Sequence, residues 1–193
     1  MDKWKCKVCG YVYDPEGVVT QEKIDYLLEM RANTNGKIKD YADRFGVEFI
    51  PGKKPWERKV DIIMPCATQN EIHPKDAEMI IQNGVKYIVE GANMPTTNEA
   101  VAVLQAAGVV IGPGKAANAG GVATSGLEMS QNSLRYNWTS DEVDEKLHGI
   151  MVSIHKACVK YGKDANGYVD YVKGANIAGF VKVADAMIDQ GIV

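Results

Sequence analysis

The sequence lacks long apolar runs and any large excess of charge of one sign. Its 193 residues carry 22 Lys and Arg against 25 Asp and Glu, a net charge of -3 at pH 7. Mostly apolar stretches, such as residues 60–64 with Asp61 as their one charged residue, are far shorter than the roughly 20 residues that cross a bilayer as a helix. The N-terminus also lacks the charged-then-apolar layout of a signal peptide. We therefore expect a cytoplasmic protein with neither a membrane nor nucleic acid as its partner.

Cysteine is scarce, and its spacing excludes a disulfide framework. Of the four cysteines, Cys66 and Cys158 lie far apart in the chain, which suits a reducing compartment. Cys6 and Cys9 have the C-x-x-C spacing that lets two thiolates bind one metal, but no second such pair follows. Because tetrahedral zinc and iron sites normally use four ligands, two interpretations stay open. The pair is inert, or it forms an iron or zinc electron-transfer site with the same pair of a second chain across a two-fold axis.

The sequence does contain a repeated strand–loop–helix pattern. Residues 60–64 are apolar on both faces, as in a buried parallel strand, and residues 85–89 and the segment GVVIG repeat the pattern. Capping boxes predict helices that start at Thr96, with Glu99, and at Thr139, with Glu142. This alternation predicts an α/β fold with a Rossmann-like, doubly wound and mostly parallel sheet. Further predicted elements are helices at residues 20–31, 37–45 and 74–83 and a strand at residues 47–50.

The loops that follow the three predicted strands are rich in small residues and carboxamides. They read PCATQN, EGANMPTT and KAANAGGVATS, and parallel strands deliver such loops to one edge of a sheet. A single asparagine more often stabilises a turn than binds a ligand, but three such loops at one edge favour a ligand site. The groups that indicate this site are the carboxamides of Asn70, Asn93, Asn98 and Asn118 and the open backbone at Gly120 and Gly121.

These loops, together with VKGANIAGFVKVADAMIDQGIV, resemble the coenzyme-binding half of the hexameric NAD(P)-dependent glutamate dehydrogenases over residues 10–193. The first residues, DKWKCKVCGYVYDPE, resemble the start of a rubredoxin, a one-iron electron carrier, and GYVYDPE is common to both. The sequence therefore predicts a rubredoxin-like segment at residues 1–16 and a partial NAD(P)-binding domain at residues 17–193.

The glutamate dehydrogenase resemblance implies NAD or NADP as the coenzyme, and a homo-oligomer. The intact enzymes of that family convert L-glutamate to 2-oxoglutarate and ammonia. The resemblance also implies that the hydroxyl of Ser125 binds the side-chain carboxylate of the substrate. The implied coenzyme-binding residues are Ala67, Thr68, Asn93 and Asn118, and the implied substrate-binding residues are Gly121, Val122 and Ser125.

Several features of the family are missing from these 193 residues. No G-x-G-x-x-G follows a strand, so we expect the sheet to lack the first βαβ unit with its pyrophosphate-binding loop. The domain that carries the family's catalytic lysine and aspartate has no counterpart either. We therefore expect no catalytic residue in this chain, no turnover by the chain alone and weak coenzyme binding. In the family, the position that discriminates NAD from NADP falls at residues 6–9, so both coenzymes remain candidates.

Overall fold

In a computed structural model, the described residues are Trp4–Lys5, Val12–Tyr13, 20–33 and 37–191. They fall into two compact units, Met1–Val60 and Asp61–Val193. The first unit contains a short antiparallel pair, β1 (Trp4–Lys5) and β2 (Val12–Tyr13), in which Trp4 lies opposite Tyr13. The predicted domain boundary after residue 16 stays a prediction.

The first unit also contains two α-helices, between which Tyr26, Tyr41 and Phe45 form an aromatic cluster. Helix α1 (Gln21–Ala32) begins after Thr20, whose hydroxyl accepts from the Lys23 N–H. Helix α2 (Ile38–Phe45) ends at Gly46, whose φ of 62° is left-handed and suits glycine. These helices confirm the predictions at residues 20–31 and 37–45 to within one residue. A short 3-10 helix, Pro55–Glu57, follows.

The strand predicted at residues 47–50 is wrong. These residues have no strand partner among the described residues. Val47 is instead buried beside Tyr41 and Ala42, and Phe49 packs against the same group. The apolar side chains of this segment thus pack with residues of α1 and α2.

The second unit is built on a three-stranded parallel sheet. Its strands are β3 (Ile62–Ile63), β4 (Tyr87–Val89) and β5 (Val110–Gly112), in the order β3-β4-β5. Ile63 lies opposite Ile88, and Ile88 lies opposite Ile111. All three isoleucines are buried. The α/β fold and the parallel sheet are therefore confirmed, although all three strands are shorter than predicted.

Helices connect and flank these strands. The helix after Thr96 begins one residue later than predicted, because Thr97 is the N-cap and its hydroxyl accepts from the Ala100 N–H. The Thr96 backbone instead forms a parallel bridge with Ile72, which places Thr96 in extended backbone before the helix. The helices of this unit are α3 (Pro74–Gln82), α4 (Asn98–Ala106), α5 (Gly114–Ala117), α6 (Ala119–Leu134), α7 (Ser140–Gly162) and α8 (Tyr171–Gln190).

The two longest helices, α7 and α8, cross at a pair of glycines. A Cβ atom added to Gly174 would lie 2.1 Å from the carbonyl oxygen of Cys158, and one added to Gly162 would lie 2.2 Å from that of Asp170. The Cys158 side chain is buried at this crossing, and burial raises the pKa of its thiol. The predicted capping box of Thr139 and Glu142 at the start of α7 is confirmed. Within the described ranges, no helix is long and apolar enough to cross a membrane.

Candidate functional site

The loops that follow β3 and β4 are held together by backbone hydrogen bonds. The N–H groups of Gly91 and Ala92 both donate to the Pro65 carbonyl at 2.9 Å. Further along, the Asn70 N–H donates to the Met94 carbonyl at 3.0 Å. The loops therefore meet at the carboxyl edge of the sheet, as their placement after parallel strands predicts.

Glycine at position 91 allows close packing at this edge. A Cβ atom added to Gly91 would lie 2.5 Å from the Sγ atom of Cys66, well inside the contact distance of two such atoms. Gly91 thus lets the loop after β4 lie directly against the loop after β3.

A cleft of about 330 Å³ opens between the two loops. Ala67 and Thr68, which the sequence predicts as coenzyme contacts, line one side, and Asn93, a third predicted contact, lines the other. The cleft is therefore bordered by uncharged groups that can donate and accept hydrogen bonds. Its complete lining is Ala67, Thr68, Gln69, Gly91, Ala92 and Asn93.

Asn118, the fourth predicted coenzyme contact, reaches this cleft from the segment after β5. It lies between α5 and α6. Its Nδ2 atom donates to the Asn93 Oδ1 atom at 2.7 Å and to the Gly91 carbonyl at 3.2 Å. The structure thus brings all four predicted coenzyme residues to one place, with Asn118 joined to the cleft through Asn93.

Two buried carboxylates, which the sequence analysis missed, hold the loops around the cleft. The Glu71 Oε1 atom accepts from the Ala67 N–H at 3.2 Å, and the Glu90 Oε2 atom accepts from the Gly114 N–H at 2.7 Å. Only 9% of Glu71 and 6% of Glu90 is exposed. In the sequence, the burial of Glu90 is indicated only by its position directly after the apolar residues of β4. An acidic side chain buried there needs hydrogen-bond partners inside the protein.

The predicted substrate residues lie elsewhere, on the first turns of α6. Val122 and Ser125 are three positions apart and therefore share one helix face, and both are exposed, as is Gly121. None of the three lines the cleft. Their contact with substrate stays a prediction.

The predicted metal ligands Cys6 and Cys9 lie outside the described residues. Across the part of the chain that the structure describes, no group of three or more His, Cys, Asp or Glu side chains could hold a metal ion. A site completed by a second chain is therefore still only a hypothesis.

A parallel α/β sheet whose carboxyl edge carries an uncharged, glycine-lined cleft has the arrangement of nucleotide-binding enzymes. Residues 7–191 match the Glutamate/Leucine/Phenylalanine/Valine dehydrogenase family. The chain belongs to this family of oxidoreductases.

Relatives with different coenzymes are equally similar to the chain. It is 58% identical to the NAD-specific glutamate dehydrogenase of Clostridium symbiosum over 188 residues, and 58% identical to the NADP-specific enzyme of Haemophilus influenzae over 184 residues. Each match covers 95% of this chain and 41% of the relative. A solved glutamate dehydrogenase structure superimposes with a TM-score of 0.90 at 54% identity, covering all of this chain and 43% of its own. The chain thus spans about two fifths of the length of these relatives.

Proposed function

We propose that the chain is the coenzyme-binding portion of a glutamate dehydrogenase. In the intact enzyme the reaction is the reversible oxidative deamination of L-glutamate by NAD or NADP, which gives 2-oxoglutarate and ammonia. The observation that carries this proposal is the convergence of Thr68, Asn93 and Asn118 at one cleft, in a chain 58% identical to glutamate dehydrogenases of both coenzyme types.

The cleft suits the nicotinamide side of the coenzyme. A ribose and a carboxamide are uncharged and need both donors and acceptors, which Thr68 and Asn93 supply at the cleft and Asn118 supplies beside it. Gly91 and Ala92, which also line the cleft, have small side chains or none and leave room for the ligand between Thr68 and Asn93. When bound, the coenzyme accepts or delivers a hydride, and the residues of this chain orient it and exclude water from that face.

The exposed face of α6 is the proposed position of the substrate. The Ser125 hydroxyl can donate to the side-chain carboxylate of L-glutamate, whose oxygens must be satisfied when they leave water. Gly121 and Val122 border the same face, and 73% of Val122 is exposed. We propose that a substrate domain of the intact enzyme, with its catalytic lysine and aspartate, covers this face.

Two further proposals concern coenzyme choice and compartment. Since the NAD-specific and NADP-specific relatives are equally similar, we propose NAD or NADP as the ligand. The two cysteines that the structure describes, Cys66 and Cys158, form no disulfide with each other, which suits work in a reducing compartment such as the cytoplasm.

Calorimetric titration of the purified chain with NAD and with NADP tests the proposal. We expect weak binding of at least one coenzyme, which Asn118→Ala abolishes because it removes the donor to Asn93. Asn132→Ala is the matched control, since Asn132 is an exposed asparagine about four turns further along α6. Binding that survives Asn118→Ala at micromolar affinity would show that the pocket lies elsewhere.

A further inference from the structure

Glu90 is a buried acid directly after the last residue of β4. Its exposed fraction is 6%, and a carboxylate is costly to bury unless it is hydrogen-bonded. Its Oε2 atom accepts from the Gly114 N–H at 2.7 Å, while its own N–H donates to the Gly112 carbonyl at 3.0 Å. The Glu90 side chain thus reaches across from the loop after β4 to the segment after β5.

The partner of Glu90, Gly114, is held tightly in place. It is buried at the start of α5, and a Cβ atom at this position would lie 2.7 Å from the Ala92 carbonyl oxygen. Glu90 and Ala92 therefore confine Gly114 from two directions, one by a hydrogen bond and the other by close contact.

The position of Gly114 fixes that of Asn118, which lies one helical turn later in the chain. The Asn118 N–H donates to the Gly114 carbonyl at 2.9 Å. The Asn118 side chain then returns to the loop after β4, where it donates to the Gly91 carbonyl and to Asn93. The hydrogen bonds thus connect Glu90 to Gly114, Gly114 to Asn118, and Asn118 back to Gly91, the residue that follows Glu90 in the sequence.

We infer that Glu90 is a positioning residue that fixes the Asn118 carboxamide beside the cleft through Gly114. This role rests on the proposed function, because Asn118 is a proposed coenzyme contact. This positioning role depends on the length of the glutamate side chain. The oxygen must span from β4 to the first N–H of α5, and a neutral acceptor of the same length serves the purpose.

Nuclear magnetic resonance of the full chain tests this inference without any ligand. In Glu90→Asp the acid is retained but is one methylene too short, so we expect the Asn118 carboxamide protons to exchange with water roughly tenfold faster or more. Glu90→Gln keeps an acceptor at the right length and should leave that exchange within about twofold of the unaltered chain. Glu71→Asp is the matched control, since Glu71 is also buried but bonds to Ala67 in another loop, and it should leave Asn118 unchanged.

The same variants separate this inference from the proposed function. If the chain binds NAD, Glu90→Asp should weaken binding, whereas Glu90→Gln, which keeps an acceptor of the right length for the Gly114 N–H, should leave the affinity unchanged. If Asn118 exchange rises in Glu90→Asp but the unaltered chain binds neither NAD nor NADP, the positioning role stands and the proposed function fails. Asn118 exchange that is the same in Glu90→Asp and in the unaltered chain would overturn the inference, whatever the coenzyme titration shows.

Discussion

Replacing Gly174 by alanine tests whether the contact between α7 and α8 sets the stability of the second unit. The added Cβ atom would lie 2.1 Å from the Cys158 carbonyl oxygen and 3.0 Å from the Gly162 nitrogen. Ordinary contact begins at 3.4 Å, so the carbonyl would have to move by about 1.3 Å, which is 3.4 minus 2.1. Both obstructing atoms belong to the backbone, so a change of side-chain rotamer cannot relieve the overlap.

The expected cost combines two opposing effects. An added methyl group in a packed contact costs about 1–3 kcal/mol, and backbone atoms place this case at the upper end. Alanine regains about 0.5–1 kcal/mol of helix propensity relative to glycine. We therefore expect Gly174→Ala to lower the free energy of unfolding by about 2 kcal/mol, or roughly 4–8 °C in melting temperature for a chain of this size.

Gly179→Ala on the same helix provides the matched control. Nothing lies within 4 Å of a Cβ atom at Gly179, so only the propensity effect remains, and this variant should be slightly more stable than the unaltered chain. Thermal and urea unfolding followed by circular dichroism measure both. If Gly174→Ala were as stable as Gly179→Ala, the helices would not be as closely packed as the structure shows, and the reasoning would be refuted.

Three further predictions concern the acid response, turnover and self-association. Hydrogen bonds from the Thr139 N–H and hydroxyl lower the pKa of Glu142, so the ionised carboxylate stabilises the fold above its unfolded pKa and this contribution is lost as the pH falls through the folded pKa. Glu142→Gln should therefore lower the melting temperature at pH 7 but make little difference at pH 2–3. An equal decrease in melting temperature at both pH values would contradict this. The chain alone should produce no NADH from L-glutamate above a no-protein control, because the family's catalytic lysine motif does not occur in it. The chain should self-associate, since Ile62 and Met64 at the edge strand β3 are 54% and 61% exposed, and sedimentation that shows a stable monomer at tens of micromolar would disprove it.

Local patterns in the sequence were sufficient for most of the fold. The apolar runs around Ile63 and Ile88 predicted parallel strands because residues buried on both faces leave a continuous apolar signal. The capping box of Thr139 and Glu142 marked the start of α7, since this signal depends on residues within four positions of each other. The same locality explains why the carboxamide loops predicted a shared edge that includes Asn93 and Asn118.

Local patterns failed where distant contacts decide between similar alternatives. Thr96 and Thr97 are adjacent and chemically identical, and only the bridge from Thr96 to Ile72 made Thr97 the cap. The segment that begins at Val47 alternates like a strand, but no strand lies beside it among the described residues.

The order of the elements and the loops that meet at the sheet edge could thus be predicted from sequence patterns alone. Only the tertiary structure showed that Glu90 reaches Gly114, 24 positions away, and that Gly162 and Gly174 let two helices touch. The reason is that the partner of a buried acidic side chain, and the space left by a glycine, depend on the atoms that surround them in the folded protein. Those atoms come from parts of the chain that no local pattern connects.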